Sequence, residues 1–115
     1  MNKWVIESAK LLGQWDKVAA TKALHHLSQE RDKSYDEILM GYALAERIFS
    51  NVFTRYTSQK DTLTVEDEEN LELSIQLARK SIPKNHPLLY RFLKEVSFIK
   101  HELENEVQSL KKELL

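Results

Sequence analysis

Residues 34–56, SYDEILMGYALAERIFSNVFTRY, are the stretch that decides the fold. The first four residues match a capping box, in which the Ser34 hydroxyl and the Glu37 carboxylate each accept a hydrogen bond from the other's backbone amide. This pattern predicts a helix over about residues 35–57. Behind the cap, apolar residues recur at steps of four and three: Ile38, Tyr42, Ala45, Phe49, Val52 and Tyr56.

The same helical period predicts three further helices. The first covers about 3–29, and we expect it to be continuous through Gly13 although glycine costs about 1 kcal/mol relative to alanine. Another covers 65–82, with Thr64 as its N-cap and acidic residues in its first turns, where the helix dipole favours them. The last covers 86–114.

Both prolines of the chain mark the boundary between the third and the fourth predicted helix. Pro83 pushes the residue before it out of the helical region and so ends the third helix. Asn85 is the expected N-cap of the fourth, and Pro87 is tolerated in its first turn. Helix chemistry therefore explains this segment without a binding site.

The sequence predicts an all-α fold, a single domain over residues 1–115 arranged as an antiparallel four-helix bundle. The last helix is longer than the third, so its C-terminal part is expected to overhang with an apolar stripe that a partner covers. A second copy of the chain is the simplest partner, in a homodimer or larger homo-oligomer. The expected partner-binding residues are Val96, Ile99, Leu103, Val107, Leu110 and Leu114.

Composition excludes several classes of protein. Two glycines and two prolines in 115 residues argue against an all-β fold, and the absence of cysteine excludes disulfide scaffolds, thiol catalysis and cysteine-based zinc sites. The apolar run at 38–45 is too short to cross a bilayer, and the N-terminal residues lack the apolar core of a signal peptide. We therefore expect a cytoplasmic protein that does not contact the membrane.

No pattern of catalytic or cofactor-binding residues is present. The four histidines, His25, His26, His86 and His101, do not form the Glu-x-x-His or HExxH patterns of metal sites, and no glycine-rich phosphate loop occurs. The acidic run at 61–72 reads as a solvated helix start rather than as a pair of catalytic carboxylates. We predict that the protein is not an enzyme and uses neither a metal nor another cofactor.

A basic band over residues 79–100 is the alternative candidate site. It contains a single acidic residue, Glu95, and the aromatic residues Tyr90 and Phe92 are interleaved with its basic ones. Basic and aromatic side chains together can hold phosphates or stacked bases, so nucleic-acid or phosphate-ligand binding is possible but not favoured. The expected contacts are Lys84, Arg91, Lys94 and Lys100.

The favoured function is a non-enzymatic interaction or assembly module. Because the acidic segment at 61–72 and the basic band at 79–100 flank the third helix, charge attraction would orient chains that associate antiparallel or head to tail. A helix-turn-helix is a poor account of 43–56, since Phe49 there belongs to an unbroken apolar stripe.

Overall fold

The computed structural model describes residues 33–60 and 62–114, together with His25. All regular structure in this part of the chain is helical, as predicted, and no strand occurs in it. The predicted helix at 3–29 lies outside the described residues. Its continuity through Gly13 and the complete four-helix bundle that includes it therefore lie outside them as well. The described elements are α1 (Tyr35–Ser58), α2 (Val65–Ser81), α3 (Pro87–Val96), a 3₁₀ turn (His101–Leu103) and α4 (Glu104–Leu114).

Helix α1 begins and ends where the sequence predicts. The capping box is formed: the Glu37 amide donates to Ser34 Oγ at 3.2 Å, and the Ser34 amide donates to Glu37 Oε1 at 3.3 Å. The helix ends at Ser58, and Lys60 then adopts a φ of 54° in the left-handed region. A lysine there turns the chain out of the helix at a position that usually favours glycine.

Helix α2 has the predicted Thr64 cap and a second capping box, completed by Asp67. Asp67 is only 2% exposed and also accepts a hydrogen bond from Arg55 Nε of α1 at 2.6 Å. One carboxylate therefore caps α2 and ties its start to the end of α1. At the other end, Ile82 is extended, as a residue before Pro83 should be.

The buried apolar residues form one cluster to which every described helix contributes. Helices α1 and α2 pack on each other, and α3 lies against both. Phe92 of α3 is fully buried, and its ring centroid lies 6.1 Å from that of Phe49 of α1. Truncating such a phenylalanine typically costs about 3–5 kcal/mol, so Phe92 is a major link between α3 and the other helices.

The prediction of one continuous helix over 86–114 is wrong. Helix α3 ends at Val96, and α4 begins only at Glu104. We call residues 97–100, which separate α3 from the 3₁₀ turn, the connecting turn. The N-cap of α3 is also not Asn85 but His86, whose Nδ1 accepts from the amide of Leu88 at 3.2 Å.

Hydrogen bonds in the connecting turn show how the helix ends. The amides of Phe98 and Ile99 donate to carbonyls three residues earlier, at 3.2 and 3.0 Å, which tightens the last turn. The hydroxyl of Ser97 donates to the carbonyl of Lys94 at 2.6 Å and thereby competes with the helical pattern.

The bend is favourable because of what it buries. It brings α4 back onto the core, where Leu103, Val107 and Leu110 are buried. Burying each such side chain is worth about 1.5–3 kcal/mol, against about 1 kcal/mol for each helical hydrogen bond given up. The burial outweighs the lost bonds.

Two surface ion pairs join this C-terminal part to α2. The two terminal nitrogens of the Arg79 guanidinium, Nη1 and Nη2, donate to the carboxylate of Glu106 at 3.0 and 2.9 Å. Lys100 of the connecting turn bonds to Glu72 at 3.1 Å. Since both pairs are partly exposed, they orient α4 and contribute little to the net stability.

Candidate interaction surface

One side of α3 is exposed because the opposite side supplies the core. Its buried residues are Leu89, Phe92, Leu93 and Val96. At 3.6 residues per turn, Pro87, Arg91 and Lys94 share the other side, at steps of four and three, and Phe98 lies two residues beyond the end of the helix. All four are exposed, and we call them the α3 face.

The α3 face is both basic and aromatic. Phe98, just beyond the end of the helix, is 66% exposed. The ammonium of Lys94 lies 5.9 Å from the centroid of the Tyr90 ring, within the range of a cation–π contact. Exposed aromatic and basic side chains are common in protein interfaces, and the positive charges favour an acidic partner.

The predicted basic band divides into two parts. Lys84, Arg91 and Lys94 are exposed, whereas Lys100 is half-buried and paired with Glu72. Of the two aromatic residues predicted to accompany them, Tyr90 is half-buried and Phe92 is fully buried. Sequence reasoning did not single out Phe98, although its position between the stripe residues at 96 and 99 signals a side chain pointing away from the core.

The six apolar residues predicted to bind a partner lie largely inside the chain's own core. Val96, Leu103, Val107 and Leu110 are buried, and Ile99 and Leu114 are half-buried. In the single chain these side chains cover the core rather than forming an open stripe. Their part in association remains a prediction.

The first half of α2 carries the opposite charge. Glu66, Glu68 and Glu72 are exposed there, and Val65 at the first helical position is 73% exposed. Asp67 does not belong to this surface, because it is buried against Arg55. Hydrogen bonds from Gln76 and Lys100 lower the pKa of Glu72, so its charge persists below the usual range.

A groove runs between this acidic half of α2 and the connecting turn. Its volume is about 390 Å³. The apolar lining comes from Leu63 and Leu71 on one side and Ile99 on the other, and the charged lining is Glu68, Lys100 and Glu102. Apolar and charged side chains therefore line the groove in equal number.

A second cluster of polar side chains lies between α1 and α3. Burial raises the pKa of Glu46 to about 7, and the Glu95 carboxyl of α3 contributes through a hydrogen bond and its charge. The Tyr42 phenol and the Arg91 guanidinium act in the opposite direction. Burial likewise raises the pKa of Tyr42, with Glu46 adding to it.

The surroundings of Glu46 favour the protonated form of its carboxyl group. Glu46 Oε1 is buried and has no hydrogen-bond partner within the part of the chain that the structure describes. Interacting carboxyl groups do not titrate independently, and protonation of one removes their repulsion. Within residues 33–60 and 62–114, no group of three or more His, Asp or Glu side chains is placed to hold a metal ion.

No described helix combines the length and apolarity needed to cross a membrane. No protein-family model, curated protein or solved structure matches the chain.

Proposed function

We propose that this chain is a non-enzymatic helical assembly module that associates with further copies of itself. The observation that carries the proposal is Phe98, an exposed phenylalanine just beyond the helix that carries the exposed Arg91 and Lys94, in a chain whose first half of α2 is acidic. Large aromatic residues beside arginine are typical of the centres of protein interfaces. Complementary charges give such an interface its orientation and its rate of association.

The working surface in this proposal differs from the one that the apolar period suggested. Because Leu103, Val107 and Leu110 are buried in the core, an exposed apolar stripe on α4 is not available to a partner without some unfolding. Deleting 104–115 would consequently test folding more than association. We place the contact on exposed side chains, which can be changed without emptying the core.

Sedimentation velocity across the micromolar range, at low and at high ionic strength, tests the proposal. We expect a concentration-dependent oligomer whose association weakens with added salt, because salt screens the attraction between the α3 face and the acidic residues of α2. Lys94→Glu should weaken association, and Lys111→Glu, an equal change at an exposed position of α4, is the matched control. A monomer under all these conditions would refute self-association.

Nucleic-acid or phosphate-ligand binding is the alternative. The exposure of Lys84, Arg91 and Lys94 next to Tyr90 and Phe98 supports it. The net charge of −1 and the pairing of Lys100 with Glu72 make it the weaker candidate. Titration of a fluorescent single-stranded oligonucleotide at low salt discriminates the two: binding whose affinity falls with salt, by a chain that stays monomeric, would favour this alternative.

A further inference from the structure

Building on the proposed self-association, we infer that Phe98 of one copy docks into the groove between α2 and the connecting turn of a second copy, and that the second copy docks in the same way in return. The occupant of the groove is thus another copy of this chain. Three observations lead to this inference: the size of the groove, its charges and its position next to Phe98.

The groove has room for an aromatic side chain. A cavity of about 150 Å³ lined by aliphatic side chains holds a benzene ring, and this groove measures about 390 Å³. Leu63, Leu71 and Ile99 provide the apolar contacts that a phenyl ring gains on leaving water. Phe98, 66% exposed, is the most exposed phenylalanine in the described residues.

The charges around Phe98 and around the groove are complementary. Arg91 and Lys94 share the α3 face with Phe98, and Glu68 and Glu102 line the groove. A ring that enters the groove therefore carries its two cations towards two carboxylates. Lys100 also lines the groove, but Glu72 already neutralises it at 3.1 Å.

The position of the groove favours a reciprocal, two-fold contact. Phe98 and the groove residue Ile99 are neighbours in the connecting turn, so the docking side chain and the docking site of one copy lie side by side. A two-fold axis near this turn lets both insertions form together. In a head-to-tail contact, the Phe98 side chain of only one copy would enter a groove. The Phe98 side chain of the other copy would stay exposed to water.

Measurement of the dimer dissociation constant by sedimentation tests this inference. Phe98→Ala should weaken dimerisation about tenfold or more, because the side chain that fills the groove is lost. Tyr35→Ala removes an aromatic side chain of similar exposure at the start of α1 and should leave the constant unchanged. Circular dichroism of both variants should show unaltered helix content, since both residues are exposed.

Charge reversal is a stricter test, because it leaves the apolar contact area of the interface in place. Lys94→Glu and Glu68→Lys should each weaken dimerisation, since each places like charges opposite one another in both halves of the interface. An equimolar mixture of the two variants restores opposite charges in both halves and should dimerise about as tightly as the unaltered chain. Failure of the mixture to recover would overturn the pairing of the α3 face with the groove.

The remaining outcomes separate this inference from the proposed function. A chain that dimerises equally well with Phe98→Ala associates through another surface, which overturns the inference and leaves self-association standing. A chain that is monomeric throughout overturns both. A monomer that binds a single-stranded oligonucleotide, and loses that binding in Phe98→Ala and Lys94→Glu, assigns the α3 face to nucleic acid instead.

Discussion

Removing the guanidinium of Arg55 should destabilise the fold far more than its surface position suggests. The Arg55 side chain is 41% exposed, but Nε lies 2.6 Å from Oδ1 of Asp67, which is 2% exposed. In Arg55→Ala the Asp67 carboxylate stays buried without its cation. Water cannot replace the lost partner fully, because α1 and α2 close over that carboxylate.

The magnitude follows from these contacts. Removing one partner of a buried ion pair costs about 3–5 kcal/mol. Asp67 keeps its capping bonds with Thr64, at 3.0 and 3.3 Å, and Arg55 is itself partly in water. We therefore expect a loss of about 2–3 kcal/mol in the free energy of unfolding at neutral pH. For a chain of this length that corresponds to roughly 10 °C in Tm.

The same substitution should change how stability depends on pH. Burial raises the pKa of Asp67, but the hydrogen bonds from Arg55 and Thr64 outweigh it and hold the pKa below its usual value. A pKa lowered by folding stabilises the protein at neutral pH, and that contribution disappears as the pH falls through the folded pKa. Without Arg55, burial acts with less opposition and the pKa of Asp67 rises. The difference in the free energy of unfolding between the unaltered protein and Arg55→Ala should then narrow on acidification.

Urea denaturation followed by circular dichroism at neutral pH and at a pH below 3.8, the ordinary pKa of an aspartate, measures both effects. Arg47→Ala, at an exposed position of the same helix, is the matched control and should change stability by less than about 0.5 kcal/mol. Equal losses in Arg55→Ala and Arg47→Ala, or a gap that widens at acidic pH, would refute the reasoning.

Two further substitutions test other parts of the structure. Because folding raises the pKa of Glu46 from 4.5 to about 7, the protein should lose stability as the pH rises through this interval. Glu46→Gln should abolish that loss, which is worth about 1 kcal/mol after allowing for solvent screening of a half-exposed side chain. Glu113→Gln, at an exposed position of α4, should leave the loss in place. Parallel profiles of Tm against pH for the unaltered protein and Glu46→Gln would contradict the raised pKa of Glu46. Leu110→Ala should cost about 2–3 kcal/mol in urea denaturation because Leu110 is buried, and Leu114→Ala, half-buried at the end of α4, should cost less than about 1 kcal/mol; equal costs would contradict the packing of α4 on the core.

The boundaries of α1 and α2 were predictable because their signals are local. Ser34 with Glu37, Thr64 at the start of α2, and Pro83 after its end each act within a few residues of the boundary they set. Such signals can be read from the sequence without knowing the tertiary contacts. The N-cap of α3 was missed by one residue, since the ring nitrogen of His86 fills the role expected of Asn85.

The break before α4 was not predictable in the same way. Residues 97–100 contain neither glycine nor proline, and the apolar period continues across them. The helix ends there because the tertiary gain of burying the apolar side of α4 exceeds the local gain of continuing the helix. An apolar period alone does not reveal whether the same chain or another molecule covers the apolar side chains.

The candidate site shows the same limit. The sequence indicated a basic band, but the pairing of Lys100 with Glu72, 28 residues away along the chain, depends on the fold. The burial of Phe92 and the exposure of Phe98 likewise depend on which side of α3 meets α1 and α2. Sequence therefore predicted the charges of the surface, and the fold selects which of them remain available.

The short connection between α1 and α2, residues 59–64, has a consequence for the order of folding. Arg55 and Asp67 close a loop of only twelve residues, so little chain entropy is lost when the two helices pair. Contacts this close in sequence form early, and chains rich in them fold fast. We therefore expect α1 and α2 to pair early in folding and α3 and α4 to pack against them later.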